Sequence, residues 1–93
     1  MADIRVQKDA SRPLAHFISV NGVLYLVDSR RVDGRYFETL AVRQAPRGKD
    51  RWLWEYPVYE RRYKTALEMV GGHHAVVRDF EQVLEEVREK CGY

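Results

Sequence analysis

Cysteine is almost missing from this chain. Its 93 residues contain one, Cys91, so no intramolecular disulfide framework can form, and a reducing compartment suits the sequence. No apolar run approaches the roughly 18 residues that a membrane span needs. The opening MADIRVQKDASRP lacks the apolar stretch of a secretory signal, so the expected location is cytoplasmic. There is no Gly-rich phosphate loop, no nucleophile elbow, no cysteine pair and no His pair at i, i+4 spacing. The sequence therefore names no catalytic set, no cofactor and no metal centre, and the expectation is a protein that is not an enzyme.

What is present describes one small domain. A hydrophobic fraction of 45% with 32% charge is too apolar for a disordered chain. Six Tyr, three Phe and two Trp supply large side chains for a small core. The net charge of +2 is weak but unevenly spread. Residues 1–64 hold 13 Lys/Arg against 8 Asp/Glu, and residues 65–93 hold 3 against 6, so a basic sheet end precedes an acidic helix end.

The strongest local signal is His16–Val27, HFISV-NG-VLYLV. Asn21-Gly22 supplies the two positive-φ positions of a type I′ hairpin between two apolar runs. The expected first strand is 14–20, with Ile18 facing Tyr25 and His16 facing Val27. A second turn signal at Asp33-Gly34 leads to a third strand at 35–43, with Val32 opposite Arg35 and Val27 opposite Leu40. Gln44–Arg51 reads as a loop. Trp52–Glu60 reads as a fourth strand, at an edge because Pro57 cannot donate to a ladder. Thr65-Ala66-Leu67-Glu68 matches a capping box, and Val77, Phe80, Leu84 and Val87 then recur at helical spacing. Gly71-Gly72 either breaks that helix or allows a close approach to the sheet. Residues 1–13 are expected as a flexible arm, the alternative being a short edge strand.

The expected fold is thus α+β. A four-stranded antiparallel β-meander carries a C-terminal helix on one face, all within 14–93. Tyr25, Val27, Tyr36, Leu40, Val42, Trp52, Trp54 and Tyr56 form the expected core face, met by Leu67, Val77, Phe80 and Leu84.

Tyr36-Phe37-Glu38-Thr39-Leu40-Ala41-Val42, then Trp54, then Tyr63-Lys64-Thr65-Ala66 leading to Gly72-His73, resembles a group of small phage and prophage proteins. In that group a YETM-like strand precedes a tryptophan-containing strand and an RYxT–EEA–GH-like helix. The likeness covers about half of the chain and departs from the pattern at Phe37, which is inserted before Glu-Thr, and at the longer Asp33 and Gln44 turn regions. It implies a mobile-element origin, hence a host cytoplasm, and no assigned activity or site residues.

Chemistry-bearing residues are few. His73-His74 with Glu68 and His16 could form a metal site, but adjacent helical residues point about 100° apart, which favours one packed and one solvated histidine. Cys91 stands at a helix C-terminus, where the dipole disfavours a thiolate. Glu38 on an apolar face could be a general base or the partner of an arginine such as Arg31. Two functional readings remain. One helix covers one face of a meander, which leaves Phe17, Leu24, Leu26, Phe37 and Leu53 as a partner or dimer face. The expectation is a small binding protein that docks on a macromolecule, a host protein foremost, as a homodimer. The alternative is a nucleic-acid binder using Arg43, Arg47, Lys49 and Arg51 beside aromatic rings.

Overall fold

A computed structural model describes residues 3–47 and 51–91, with side chains described for 3–43 and 57–87. The fold is α+β. Five strands, β1 (Ile4–Lys8), β2 (Ala15–Val20), β3 (Val23–Val32), β4 (Tyr36–Arg47) and β5 (Arg51–Tyr63), form one antiparallel sheet in the order β1-β2-β3-β4-β5. Two helices follow, α1 (Ala66–Arg78) and α2 (Phe80–Cys91).

The Asn21-Gly22 turn is as the sequence requires, with φ of 51° and 85° and Val20 opposite Val23. The four-stranded expectation is corrected at the N-terminus. Residues 4–8 are not an arm but a strand on β2, with Ile4 opposite Val20 and Val6 opposite Ile18. Asn21 anchors it: its backbone N–H donates to the Asp3 carbonyl at 2.9 Å, and its Oδ1 accepts from the Asp3 N–H at 2.9 Å. Gln44–Arg51 is also corrected. β4 runs to Arg47 and β5 begins at Arg51, so the two strands continue through most of the expected loop. Pro57 does stand on an edge strand, opposite Val42 where the β4–β5 register shifts.

The second hairpin differs by one residue, with large consequences. Asp33 and Gly34 adopt φ of 50° and 68°, and Arg35 N–H donates to the Val32 carbonyl at 2.9 Å. Yet Val32 pairs with Tyr36, not Arg35, so Arg35 is an extra turn residue. A one-residue slip exchanges the two faces of a strand. Ala41 rather than Leu40 lies opposite Val27, and Thr39 opposite Ser29. Tyr36, Leu40 and Val42 leave the expected core face, and Phe37 joins the helix side.

The core lies between the sheet and the helices. Ile18, Val20, Tyr25, Val27 and Ala41 meet Val76, Phe80 and Leu84, with Val58, Tyr59 and Val77 packed around them. Phe80 sets its ring edge-on to Tyr25 at 5.1 Å. Leu67, expected in the core, is 83% exposed. Trp52, Trp54 and Tyr56 lie outside the residues with described side chains.

Thr65 caps α1 as expected, its Oγ1 accepting from Glu68 N–H at 3.1 Å. The Glu68 carboxylate, however, reaches back to the Thr65 hydroxyl, which donates to it at 3.0 Å, and not to the backbone N–H of a full capping box. α1 passes through Gly71-Gly72 without a break. Of the two readings of these glycines, the close approach is realised at Gly72. A Cβ there would overlap the Tyr63 hydroxyl and lie 2.5 Å from two ring carbons, while one at Gly71 meets nothing. The chain bends instead at Asp79 (φ −108°, ψ 29°), whose N–H still donates to Ala75 and whose carbonyl accepts from Val83 to start α2.

Candidate docking face and a buried histidine network

The sheet face away from the helices is the expected partner face with altered membership. Phe17, Leu26 and Val42 stand in one row across β2, β3 and β4, with Leu24 and Leu40 beside them. Leu26 is buried by its neighbours, and the other four are half-buried. Phe37 does not belong to this face, because the shifted register turns it to the helix side. Leu53 lies outside the residues with described side chains. Leu40 and Val42 take their place. Among the described residues, no helix or loop packs over this face.

Charge of both signs borders the apolar row. Glu38, 5% exposed, accepts from Arg30 Nε at 3.3 Å, with Arg62 in register on its other side. Its partner is Arg30 rather than Arg31, again because of the shifted register. Arg62 lays its guanidinium over the Tyr36 ring, 4.6 Å from its centroid. Asp28 meets Arg12 at 3.2 Å. Burial raises the Asp28 carboxyl above its ordinary value, against the lowering effects of Arg12 and Arg30.

The basic-loop alternative is only partly described. Arg43 is exposed within β4, opposite Tyr25. The side chains of Arg47 and Arg51 and all of Lys49 lie outside the described residues.

On the helix side, strand register and α1 bring together a polar network that the sequence did not disclose. His73 is fully buried. Its Nε2 lies 2.8 Å from His16 Nδ1, and its Nδ1 lies 2.6 Å from Ser29 Oγ. Ser29 Oγ in turn lies 2.6 Å from Thr39 Oγ1. Each contact carries one proton, and a neutral His73 donates at one ring nitrogen and accepts at the other. The pair His16–His73 can then accept one extra proton but not two, since double protonation would set two N–H groups against each other. Burial holds His73 down to about 4, with His16, His74 and Lys8 adding to the effect. His16 is lowered mainly by burial, with Lys8 and His74 contributing.

A serine bonded to a histidine invites comparison with nucleophilic catalysis. Here Ser29 is 8% exposed and Thr39 fully buried, so no substrate can reach the hydroxyl. The arrangement pins α1 to β2, β3 and β4. Exposed His74 stands near the pair, its ring centroid 5.6 Å from His73 and 6.2 Å from His16. Among the described residues, no group of three or more His, Cys, Asp or Glu side chains is placed to hold a metal ion. Glu68 is taken up by the Thr65 cap. Cys91 ends α2, and its side chain lies outside the described residues. No described helix is long and apolar enough to cross a membrane.

Comparison with protein families, curated proteins and solved structures finds no match for this chain.

Proposed function

We propose that this protein is a non-enzymatic binding module that docks on another protein through the open sheet face. One observation carries the reading: Phe17, Leu24, Leu26, Leu40 and Val42 form a continuous apolar band with no covering element among the described residues. Bands of this kind on soluble domains mark interaction sites. The mixed charges at its rim, Glu38 with Arg30 and Asp28 with Arg12, suit a protein partner better than a polyanion, which would meet carboxylates beside each arginine. The resemblance of Tyr36–Val42 and Tyr63–His73 to phage and prophage proteins supports a mobile-element setting, with a host protein as the partner.

A photo-crosslinking residue at position 17 tests this in host extract, with position 67 on the outer side of α1 as control. A discrete protein adduct from 17, absent from 67 and insensitive to nuclease, is the expected result. No adduct, or capture that nuclease abolishes, refutes docking on protein. Titration of random DNA and RNA at 50 and 200 mM salt covers the rival reading. Affinity that falls steeply with salt would move the function to the basic residues around Arg43.

A further inference from the structure

We propose that β1 is a dimerisation edge, and that two copies of this chain join β1 to β1 antiparallel about Val6, extending the sheet across a two-fold axis. This surface is separate from the open face and does not depend on the docking proposal.

The register decides which backbone groups are free. Asp9 N–H donates to the Ala15 carbonyl at 3.0 Å and Asn21 N–H to the Asp3 carbonyl at 2.9 Å. Odd-numbered residues of this segment therefore bond inward to β2. The N–H and C=O groups of Ile4, Val6 and Lys8 point outward along the edge. An edge strand presenting such a row is a template for pairing. Every residue of β1 is exposed, including Ile4 at 39% and Val6 at 50%. The other edge, β5, contains Pro57 beside a register shift and is the poorer template.

Charge and shape favour a second copy as the occupant. Two-fold pairing about Val6 sets Val6 against its counterpart and Ile4 against the partner's Lys8. Side chains of Ile4, Val6 and Lys8 all lie on the helix side of the sheet, so the partner's Lys8 arrives beside Ile4. There an open groove of about 440 Å³ runs between Ile4 and α2, lined by Val77, Glu81 and Glu85. Arg78 and Asp79 also line this groove and pair with each other at 3.0 Å, so Glu81 and Glu85 are its carboxylates placed to receive that ammonium. Within its own chain the Lys8 ammonium bonds the Asp9 and Arg12 carbonyls at 3.0 and 2.7 Å, and it would exchange them on pairing. The two Lys8 positions are separated by four residues along the strands, roughly 13 Å, while Asp3 falls opposite the partner's Asp9, one residue beyond each end of β1. Arg5 carries its own counter-charge in Asp3 at 3.6 Å. A charge placed only to protect the edge would have no such acidic receptor opposite it.

Sedimentation equilibrium of the full chain tests the proposal, with Val6→Pro as the first variant. The Val6 N–H points outward, so proline removes edge bonds while leaving those to β2. The wild type should be dimeric at micromolar concentration, and Val6→Pro should weaken association at least tenfold with an unchanged circular dichroism spectrum. Lys8→Glu should weaken it similarly, and Glu81→Lys in the same chain should restore it. A monomeric wild type overturns the proposal, as does a dimer that Val6→Pro and Lys8→Glu both leave intact.

Discussion

Adjacent glycines on α1 should respond to the same substitution with opposite signs. Alanine is better than glycine in a helix interior by about 1 kcal/mol. At Gly71 an added Cβ meets nothing, so Gly71→Ala should stabilise the protein by about 0.5–1 kcal/mol. At Gly72 the new methyl overlaps the Tyr63 hydroxyl and ring. Tyr63 is only 6% exposed and cannot swing into solvent. Overpacking of this kind costs about 1–3 kcal/mol, so after the helix-propensity gain the net effect should be a loss of up to about 2 kcal/mol. Urea denaturation followed by circular dichroism resolves both changes. Tyr63 supplies a further check, because its hydroxyl is buried with no hydrogen-bond partner. Tyr63→Phe should be neutral or stabilising, since it removes an orphaned polar group. Gly72→Ala should then cost less in the Tyr63→Phe background, with a coupling of about 0.5 kcal/mol or more. Equal effects at Gly71 and Gly72, or no coupling to Tyr63, would refute the close-approach account of α1.

Two other perturbations probe the core and the histidine network. Phe80→Ala, at a ring 1% exposed and packed on Tyr25, should cost about 3–5 kcal/mol in the same urea assay; a shift under 1 kcal/mol would mean that α2 does not pack as described. Stability should also fall with acid: His73 stays neutral in the fold down to about 4 but takes a proton near 6.5 when unfolded, so its contribution is complete above pH 6.5 and is lost as pH falls toward 4, by about 3 kcal/mol over the whole range. His16 acts with the same sign. Measuring stability between pH 7 and 5 avoids most carboxylate titration, and a His73→Asn variant should flatten the slope; an unaltered slope would assign the acid sensitivity to other groups.

Local rules carried the elements whose signals are local. The Asn21-Gly22 turn, the Thr65 cap and the Phe80–Leu84 stripe each depend on a few neighbouring residues, and each is where the sequence puts it. β1 was legible in principle, because Ile4-Arg5-Val6-Gln7-Lys8 alternates with period two. Two apolar residues before a proline are a weak signal, and what fixes the strand is its long-range tie to Asn21. Of the histidine network, the division of His73 and His74 into one packed and one solvated ring was legible from their adjacency on a helix, and the partners of the packed ring were not. Ser29, Thr39 and His73 meet only through the register of β3 on β4 and the docking of α1, and a Ser or Thr in a strand gives no sign of which face it occupies.

The candidate face shows how one residue exchanges the two sides of a strand without changing the fold. Asp33-Gly34 fixes that a turn exists there, but not whether its loop holds two residues or three. With two, Tyr36, Leu40 and Val42 would face the helices and Phe37 the open side. With three, the small pair Thr39 and Ala41 lies beneath α1, and Leu40 and Val42 face outward. Packing explains why the longer loop prevails. α1 needs room for His73 and Val76 against β3 and β4, and Thr39 and Ala41, both fully buried, leave that room. Leu40 and Val42 under the same helix would hold it farther from the sheet and would offer His73 and Ser29 no hydroxyl partner at position 39. Such a network is unfavourable unless fully satisfied. The demand of the buried histidine for polar partners therefore selects the register, and the register in turn places two aliphatic side chains on the open face. The outward apolar band and the buried network are two consequences of one extra residue, Arg35.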